Sequence, residues 1–400
     1  MVRKNIRIIT GANWGDEGKG LTANFFSDPN TLVVLSTNSC QRGHTVVYNG
    51  KRHVFRHFGS ATLKGAATYL TDDFMVNPAM FREEYEKLTA VGVYPKVYCR
   101  SSCLIVTPYD MLSNQIIEDS RGDRRHSSCG CGAWETRVRK TALTADGMGS
   151  DALLIQNRGY EESALDAVER YYLKKYADND DMRSFCNDIT KDNIRYDLDF
   201  FRAHVTMIES DEKEKELLRG ADNIIFENSQ GLMLDTDYYP DPDHTTPAHI
   251  GCRYPAAIIT RIFSPDEADI EPLYITRTYF TRHGNGAMGI LGECGKDAID
   301  PFMKDMTNVP NPWQGTLRYG LITKTDAQDM IGRICKDTGY LLDAGFEAKP
   351  SVVVTHINEF VSGALDDALA GAAGTGRLGR VYTSDNEETI TSADMFIKGM

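Results

Sequence analysis

The sequence predicts an α/β fold, with a single large domain built on a mostly parallel central sheet and helices on both faces. Three observations predict it. Short apolar runs recur along the chain, a glycine-rich or polar turn follows many of them, and stretches with helical spacing come next. Runs that are apolar throughout are typical of parallel strands covered on both faces. Such sheets bind ligands at the carboxyl ends of their strands, so the functional residues are expected there.

The first strand is predicted at residues 6–10, before a glycine-rich loop at 11–20 and a helical stretch. Helices are also predicted at 81–88, where apolar side chains recur at helical spacing, and at the charged segment 213–218. The glycine-rich residues 371–376 are predicted to form a loop. Further apolar runs predict strands at 31–36, 104–107, 224–226, 273–278 and 352–355.

The composition excludes several classes of protein. The chain has 400 residues, of which 41% are hydrophobic and 25% charged, and its net charge is −13. This is an ordinary globular composition, and the excess of acid argues against binding to nucleic acid or to an anionic membrane. No apolar stretch approaches the roughly 20 residues of a membrane span, and the first residues do not form a signal peptide. We therefore expect a cytoplasmic protein that binds neither nucleic acid nor a membrane.

No linker or repeat divides the chain, so residues 1–400 are predicted to form one domain. The segment 150–202 is polar and acidic, and is predicted to be a helical insertion on the surface. The nine cysteines lack the paired spacing of zinc sites, so reduced thiols are expected.

The loop after the first strand has the features of a P-loop-like phosphate site. Residues 11–20 read Gly-Ala-Asn-Trp-Gly-Asp-Glu-Gly-Lys-Gly. Backbone N–H groups in such a loop point at an anion, and Lys19 adds a positive charge. The usual P-loop has Ser or Thr after the lysine, where this chain has Gly20. Asp16 and Glu17 would repel a phosphate unless a cation lay between them. An acid in this loop is therefore expected to bind Mg²⁺, to remove a proton, or to do both.

Four segments resemble the adenylosuccinate synthetase family. Residues 14–20, Trp-Gly-Asp-Glu-Gly-Lys-Gly, are similar to the family's signature after the first strand. Three further segments are similar to the family's Asn-Ala-Gly-His-Thr, Glu-Gly-Ala-Gln-Gly…Leu-Asp-x-Asp and Thr-Arg-x-Gly-x-Gly motifs. They lie in the same order along the chain, at 41–47, 226–237 and 281–286.

The resemblance implies a ligase that joins L-aspartate to carbon 6 of a 6-oxopurine nucleoside monophosphate, with Mg²⁺ as cofactor. In the family, the purine N1 proton is removed and the 6-oxygen attacks the γ-phosphate of a nucleoside triphosphate. Aspartate then displaces the phosphorylated oxygen. The resemblance also implies a homodimer in which a residue near 139 reaches the partner's site, and both Arg139 and Lys140 are candidates.

Four residues match the family's catalytic positions. Asp16 matches the general base and Mg²⁺ ligand, and His44 matches the acid that hydrogen-bonds the transferring phosphate. Lys19 would stabilise the charge that develops on that phosphate, and Gln230 would hold the purine near its 6-oxygen. A histidine suits its role because its charge switches near neutral pH.

The resemblance also implies residues for each ligand. The metal would lie at Asp16 and Gly43, and L-aspartate would bind at Gly315, Thr316 and Arg318. The triphosphate would bind at Gly15, Glu17, Gly18, Lys19, Gly20, Gly43, Thr45 and Asn358. The purine monophosphate would bind at Asn13, Asp16, Gln41, Ser128, Lys140, Gln230 and Thr245.

Three departures from the family pattern favour a divergent, phage-encoded branch whose members act on dGMP to make the precursor of 2-aminoadenine DNA. The guanine-reading Thr-Lys-x-Asp is replaced by a segment ending in Asn358, whose amide both donates and accepts, and this favours ATP or dATP. The arginine-rich aspartate loop, at 308–320, keeps only Arg318. Gln41 and Arg42 replace Asn and Ala.

Two alternatives stay open. Asp16 is retained as in the housekeeping enzyme, so IMP with GTP is the alternative substrate pair. A non-catalytic purine-nucleotide sensor is the alternative from a different class, although the presence of Asp16, Lys19 and His44 together favours an enzyme.

Overall fold

The computed structural model describes residues 3–36, 39–122, 126, 128–145, 161–189, 191–238, 244–246, 248–301, 313 and 315–392. Parts of two predicted segments lie outside these residues. They are 150–160 and 190 of the insertion, and 308–312 and 314 of the aspartate-binding segment.

A ten-stranded sheet forms the centre of the molecule. Every described pairing in it is parallel except that of its last two strands in sequence, β15 and β16. In spatial order the strands are β16 (Thr391–Ser392), β15 (Val381–Thr383), β14 (Ser351–Thr355), β11 (Ala268–Arg277), β1 (Lys4–Gly11), β10 (Asn223–Gly231), β2 (Leu32–Leu35), β5 (Ala67–Leu70), β7 (Val97–Arg100) and β9 (Thr206–Ile208). The predicted mostly parallel sheet is confirmed.

Three two-stranded ribbons lie outside the main sheet. They pair β3 (His44–Tyr48) with β4 (Lys51–Phe55), β6 (Met75–Val76) with β8 (Leu104–Ile105), and β12 (Phe280–Arg282) with β13 (Arg318–Gly320). The strand predicted at 104–107 is therefore shortened to β8. It ends early because Thr107 caps the next helix and Pro108 begins it, and the Thr107 side chain and Asp110 form a capping box.

The helices follow the strands as the sequence predicts. Their bounds are α1 (Lys19–Phe25), α2 (Pro78–Ala90), α3 (Pro108–Arg121), α4 (Ala133–Ala145), α5 (Glu161–Lys175), α6 (Asp180–Asp188), α7 (Lys191–Ala203), α8 (Asp211–Gly220), α9 (Arg253–Ile262), α10 (Lys324–Asp343) and α11 (Gly363–Gly374). The prediction of a loop at 371–376 is partly wrong, because α11 continues to Gly374. No helix in the described part of the chain is long and apolar enough to span a membrane.

Helices cover both faces of the sheet. Ile6 and Ile8 of β1 belong to a core shared with α9, α10 and α11. Ile9 points to the other face and packs with Leu21 of α1. Val33 of β2 also points to that second face, in a core shared with α2, α5 and α7. This alternation is the expected geometry of strands buried on both sides.

The described part of the predicted insertion is helical, in α5, α6 and α7, but it does not lie on the surface alone. Leu165 and Tyr172 of α5 and Phe201 of α7 are fully buried in the second core. The Tyr172 hydroxyl donates to Asp110 Oδ1 (2.7 Å), which also accepts from the buried Arg139. The charged residues occupy the opposite helix faces, and the high average polarity conceals the apolar ones.

Candidate active site

Residues with a strained backbone conformation cluster at the carboxyl edge of the central strands. Four non-glycine residues in the described ranges have a left-handed φ, and three lie at this edge. They are Asp16 (φ 56°), Gln230 (49°) and His356 (59°). Parallel pairing places Gly11 beside both Gly231 and Ile275, so the segments after β1, β10 and β11 meet. Non-glycine residues in this conformation cluster at functional sites.

The two acids of the phosphate loop have different surroundings. Glu17 is 2% exposed, and its Oε1 accepts from the backbone N–H of Asn13 (2.9 Å). Its Oε2 occupies the space beside Gly11, where an added Cβ would lie only 2.2 Å away. Burial raises the pKa of Glu17 to about 7, against the opposing effects of Lys19 and Asn13. The Glu17 side chain therefore lies inside the loop and not in solvent.

Asp16 is the acid that remains open, with 28% of its side chain exposed. Its Oδ2 lies 3.1 Å from Nε2 of His283, and its carbonyl oxygen accepts from Arg277 Nε (2.6 Å). Removal from bulk water raises the pKa of Asp16, but His283, Lys19 and Arg277 outweigh this and hold the pKa well below its usual range. Asp16 is thus a carboxylate at neutral pH.

Lys19 begins α1 and is 3% exposed. Burial lowers its pKa, while Glu17, Asp16 and Glu227 raise it. The preceding Gly18 has a left-handed φ of 99°, and an added Cβ would lie 2.9 Å from a methyl group of Thr355. The turn into α1 therefore requires glycine at this position.

His44 begins β3 beside a buried ion pair. Its Nδ1 lies 2.5 Å from Glu227 Oε1, which also accepts from Arg42 Nη2 (2.6 Å). Burial and the charge of Arg42 lower the pKa of His44 to about 4, although Glu227 opposes them. The imidazole of the protein alone is therefore neutral at pH 7. Arg42 Nη2 also lies 2.9 Å from this Nδ1. A guanidinium only donates and a carboxylate only accepts, so the two neighbours of Nδ1 favour opposite tautomers of the ring.

Besides Glu17, whose Oε2 is also unpartnered, three residues predicted to bind ligands each have a buried oxygen with no hydrogen-bond partner among the described residues. These are Thr45 Oγ1, Gln230 Oε1 and Thr245 Oγ1. Most buried polar atoms are hydrogen-bonded, so such atoms mark places where a ligand or water completes the bonding. Gln230 lies directly beside the phosphate loop, because a Cβ added at Gly15 would be 3.7 Å from its Cα.

Asn13, predicted to bind the monophosphate, has its side chain occupied. Its Nδ2 donates to Thr276 Oγ1 (3.0 Å), and its Oδ1 accepts from Arg333 Nη2 (3.3 Å). Ser128 likewise donates to Asn114 Oδ1 (2.9 Å). Gln41 Oε1 accepts from Cys129 Sγ (3.7 Å), so the glycine loop at 128–132 does lie against residue 41.

The structure separates the two candidates for a residue that crosses a dimer interface. Arg139 is fully buried and donates to both carboxylate oxygens of Asp110, at 2.8 and 3.1 Å. Lys140 is exposed on α4. Arg139 therefore serves the core, and of the two candidates only Lys140 is exposed.

The predicted aspartate-binding residues lie at one corner of the site. Gly315 and Thr316 are exposed, and Arg318 opens β13. Arg318 Nε pairs with Glu293 Oε2 (2.8 Å), and its Nη1 donates to the carbonyl of Gly284 (2.7 Å). An incoming carboxylate would have to displace Glu293 to reach this guanidinium.

Asn358, predicted to recognise the donor base, is exposed in the turn after β14. The end of β14 is joined to the phosphate loop, since Thr355 Oγ1 donates to the carbonyl of Glu17 (2.9 Å). Two predicted triphosphate residues remain, Gly20 and Gly43. Gly20 lies beside His44 in space, and Gly43 precedes His44 in the sequence. A Cβ added at Gly20 would lie 2.8 Å from the Thr45 carbonyl oxygen.

Sequence reasoning assigned no role to Glu227, Arg277 or His283, although all three contact predicted site residues. Glu227 and His283 lie within the segments that resemble family motifs, and this location was the one sign in the sequence that they belong to the site. Arg277 ends β11, at the edge where ligands were expected.

Among the described residues, one cluster has three metal-type ligands, namely Asp235, Asp237 and His249. Asp237 is already paired with Arg253 (2.9 Å). The metal ligands implied by the family resemblance, the Asp16 carboxylate and the Gly43 carbonyl, are both oxygen ligands. That set suits Mg²⁺, which keeps several waters and phosphate oxygens of its own.

The fold and the site together define an α/β protein with an acid-and-lysine phosphate loop at the carboxyl edge of a parallel sheet. The family model described as Adenylosuccinate synthetase matches residues 8–297. The chain therefore belongs to the adenylosuccinate synthetase family, which is a family of carbon–nitrogen ligases.

The curated relatives are distant. An adenylosuccinate synthetase of Psychromonas ingrahamii is 25% identical over 77% of this chain and 69% of its own length. One of Neisseria gonorrhoeae is 27% identical over 71% of this chain, and the match spans 64% of that relative's length.

Two solved structures share the fold. The succinoaminodeoxyadenylate synthetase (PurZ) of cyanophage S-2L, bound to dGMP and dATP as an energy donor, has a TM-score of 0.64 at 16% identity, covering 98% of this chain and 96% of that one. The fully ligated adenylosuccinate synthetase of Plasmodium falciparum has a TM-score of 0.59 at 16% identity, covering 88% and 77%.

Proposed function

We propose that this protein joins L-aspartate to carbon 6 of a 6-oxopurine nucleotide through a 6-phosphoryl intermediate. The observation that carries the proposal is the convergence of Asp16, Lys19, His44 and Gln230 around one phosphate loop. Each has a chemical property that the reaction needs: an ionised base, a buried cation, an imidazole and an unpartnered amide oxygen.

In the first step, Asp16 takes the N1 proton of the purine, and the 6-oxygen attacks the γ-phosphate and displaces the nucleoside diphosphate. Lys19 stabilises the negative charge that develops, and Gln230 holds the purine edge. The charge of an arriving phosphate raises the pKa of His44 from about 4, so that its ring can carry a proton to the phosphate oxygens. In the second step, the amine of aspartate replaces the phosphorylated oxygen, and inorganic phosphate leaves.

Asp16 and Gly43 would hold Mg²⁺, whose charge, when the ion is bound, offsets that of the triphosphate. For L-aspartate, Arg318 supplies the carboxylate-binding cation, with Gly315 and Thr316 beside it. For the monophosphate, Ser128 and Thr245 supply hydroxyl groups, and Lys140 reaches it from the other subunit of a homodimer.

We further propose dGMP as the acceptor and ATP or dATP as the donor, giving 2-amino-2′-deoxy-N6-succinyladenylate, ADP or dADP, and phosphate. Asn358 supports an adenine donor because its amide matches the mixed donor and acceptor edge of that base. The likeness over almost the full chain to a phage synthetase solved bound to dGMP and dATP supports the pair. IMP with GTP is the second candidate, favoured by the retained Asp16.

An isotope experiment tests the 6-phosphoryl intermediate. The acceptor nucleotide is labelled with ¹⁸O at its 6-oxygen, and the phosphate released is analysed by mass spectrometry. We expect one ¹⁸O atom per phosphate in each turnover. Unlabelled phosphate alongside succinylated product would contradict the mechanism, and nucleotide binding with no product from any nucleotide pair would favour the sensor.

A further inference from the structure

His283 lies beside Asp16, and the proposed reaction gives His283 no role. Its Nε2 donates to Asp16 Oδ2 over 3.1 Å, and its side chain is 20% exposed. The contact joins two segments far apart in sequence, the phosphate loop and the end of β12.

The segment that carries His283 is held on both sides. Before it, Thr281 Oγ1 donates to the carbonyl of Gly15 (2.9 Å), the residue next to Asp16. After it, the carbonyl of Gly284 accepts from Arg318 Nη1 (2.7 Å), and β12 pairs with β13 through Arg282 and Arg318. His283 is therefore fixed relative to the loop it contacts.

Asp16 needs such a constraint. Its backbone is held in a left-handed conformation by Arg277 Nε, which donates to its carbonyl. That bond fixes the main chain but leaves the carboxylate free to rotate. A hydrogen bond to Oδ2 fixes the rotation and leaves Oδ1 to act on a substrate.

We propose that His283 is a positioning residue, which orients the Asp16 carboxylate so that Oδ1 meets the proton it removes. The inference rests on the proposed function. His283 favours the ionised form of Asp16 more strongly than Lys19 and Arg277 do, and its hydrogen bond to Oδ2 adds a fixed direction to that effect on charge. Misplacement of a catalytic group by about 1 Å can lower a rate about 100-fold.

The test compares His283→Phe, which removes the donor, with His283→Gln, whose amide nitrogen can replace Nε2. We expect His283→Phe to lower kcat about 10- to 100-fold while each KM stays within about threefold, and His283→Gln to restore most of kcat. His204→Phe is the matched control, because that ring stacks on Phe200 in α7 and should leave kcat unchanged. Equal kcat in His283→Phe and the unsubstituted protein would overturn the inference, as would a Gln variant no better than Phe.

A measurement without turnover separates this inference from the proposed function. In ¹⁵N spectra of histidine-labelled protein, we expect the His283 ring signals to move in Asp16→Asn, while the His204 signals do not. If no nucleotide pair gives product, the proposed function fails. If the His283 signals do not move, the contact with Asp16 is absent and the positioning role is refuted.

Discussion

The acid at position 16 is the residue on which the proposed chemistry most depends. Asp16→Asn keeps the shape and removes the base, and asparagine also accepts the left-handed backbone found there. We expect kcat to fall about 100- to 10,000-fold, with nucleotide affinity by calorimetry changed only a few-fold. Asp269→Asn, at an exposed pair with Arg3, is the control. A near-normal rate would remove Asp16 as the base.

The buried carboxylate of Glu227 predicts an acid-sensitive stability. Burial raises its pKa, but Arg42, His44 and Ser60 outweigh burial and lower it to about 2, below the ordinary 4.5. The stabilisation is therefore complete above about pH 4.5 and is lost as the pH falls towards 2. Glu227→Gln should lower the free energy of unfolding by about 3 kcal/mol near pH 7, because it leaves Arg42 buried without its charge partner.

The measurement is urea unfolding of both proteins between pH 3 and 7. The difference between them should narrow below pH 4.5, and Glu216→Gln, exposed on α8, should show no such trend. A difference that is constant with pH would show that the charge of Glu227 does not stabilise the fold.

For single residues, the sequence predicts which side chains belong to the site better than it predicts which way they point. The adjacent acids in the loop indicate a site, and Asp16 faces it. Only the family resemblance distinguishes Asp16 from Glu17 in the sequence, and it does not predict which carboxylate turns inward. That of Glu17 does so because Gly11 leaves room for it. The hydrogen bonds of the Asn13 side chain could not be predicted from the sequence either, because its partners Thr276 and Arg333 come from distant elements.

The turn after β14 is the element that predicts the choice of donor. Asn358→Asp would present two acceptors, which match the donor groups of guanine, so the ratio of kcat/KM for GTP over ATP should rise at least about tenfold. Asn179→Asp, at the start of α6 where either residue caps a helix, is the control and should leave the ratio unchanged. An unchanged ratio in Asn358→Asp would refute the assignment of this turn to the donor base.

Elements were predictable where burial is complete. The central strands β1, β10, β11 and β14 follow from continuous apolar runs, since both of their faces are covered. The strands β5, β7 and β9 gave no such signal. They are only three or four residues long and lie towards one edge of the sheet, where β7 alternates between buried and half-buried positions.

We expect a homodimer in which each active site contains Lys140 of the other subunit. Asp16→Asn and Lys140→Ala should each be inactive alone. Mixed after unfolding and refolding together, they should recover about a quarter of full activity, because each mixed dimer has one site with both residues intact. Arg139→Ala cannot replace Lys140→Ala in this test, since Arg139 is paired with Asp110 in the core. No recovery on mixing would contradict a shared site.

The overall architecture followed from the sequence because strand, turn and helix repeat in the order of a parallel sheet. The role of the insertion in the core could not be predicted from the sequence, because the contact of Tyr172 with Asp110 depends on how α5 packs against α3.

The proposed substrate pair is tested by a matrix of end-point reactions. The protein, Mg²⁺ and L-aspartate are mixed with ATP, dATP or GTP against dGMP, GMP or IMP, and the products are identified by mass spectrometry. We expect a succinylated product from dGMP with an adenine nucleotide as donor. Product from IMP with GTP alone would contradict this expectation.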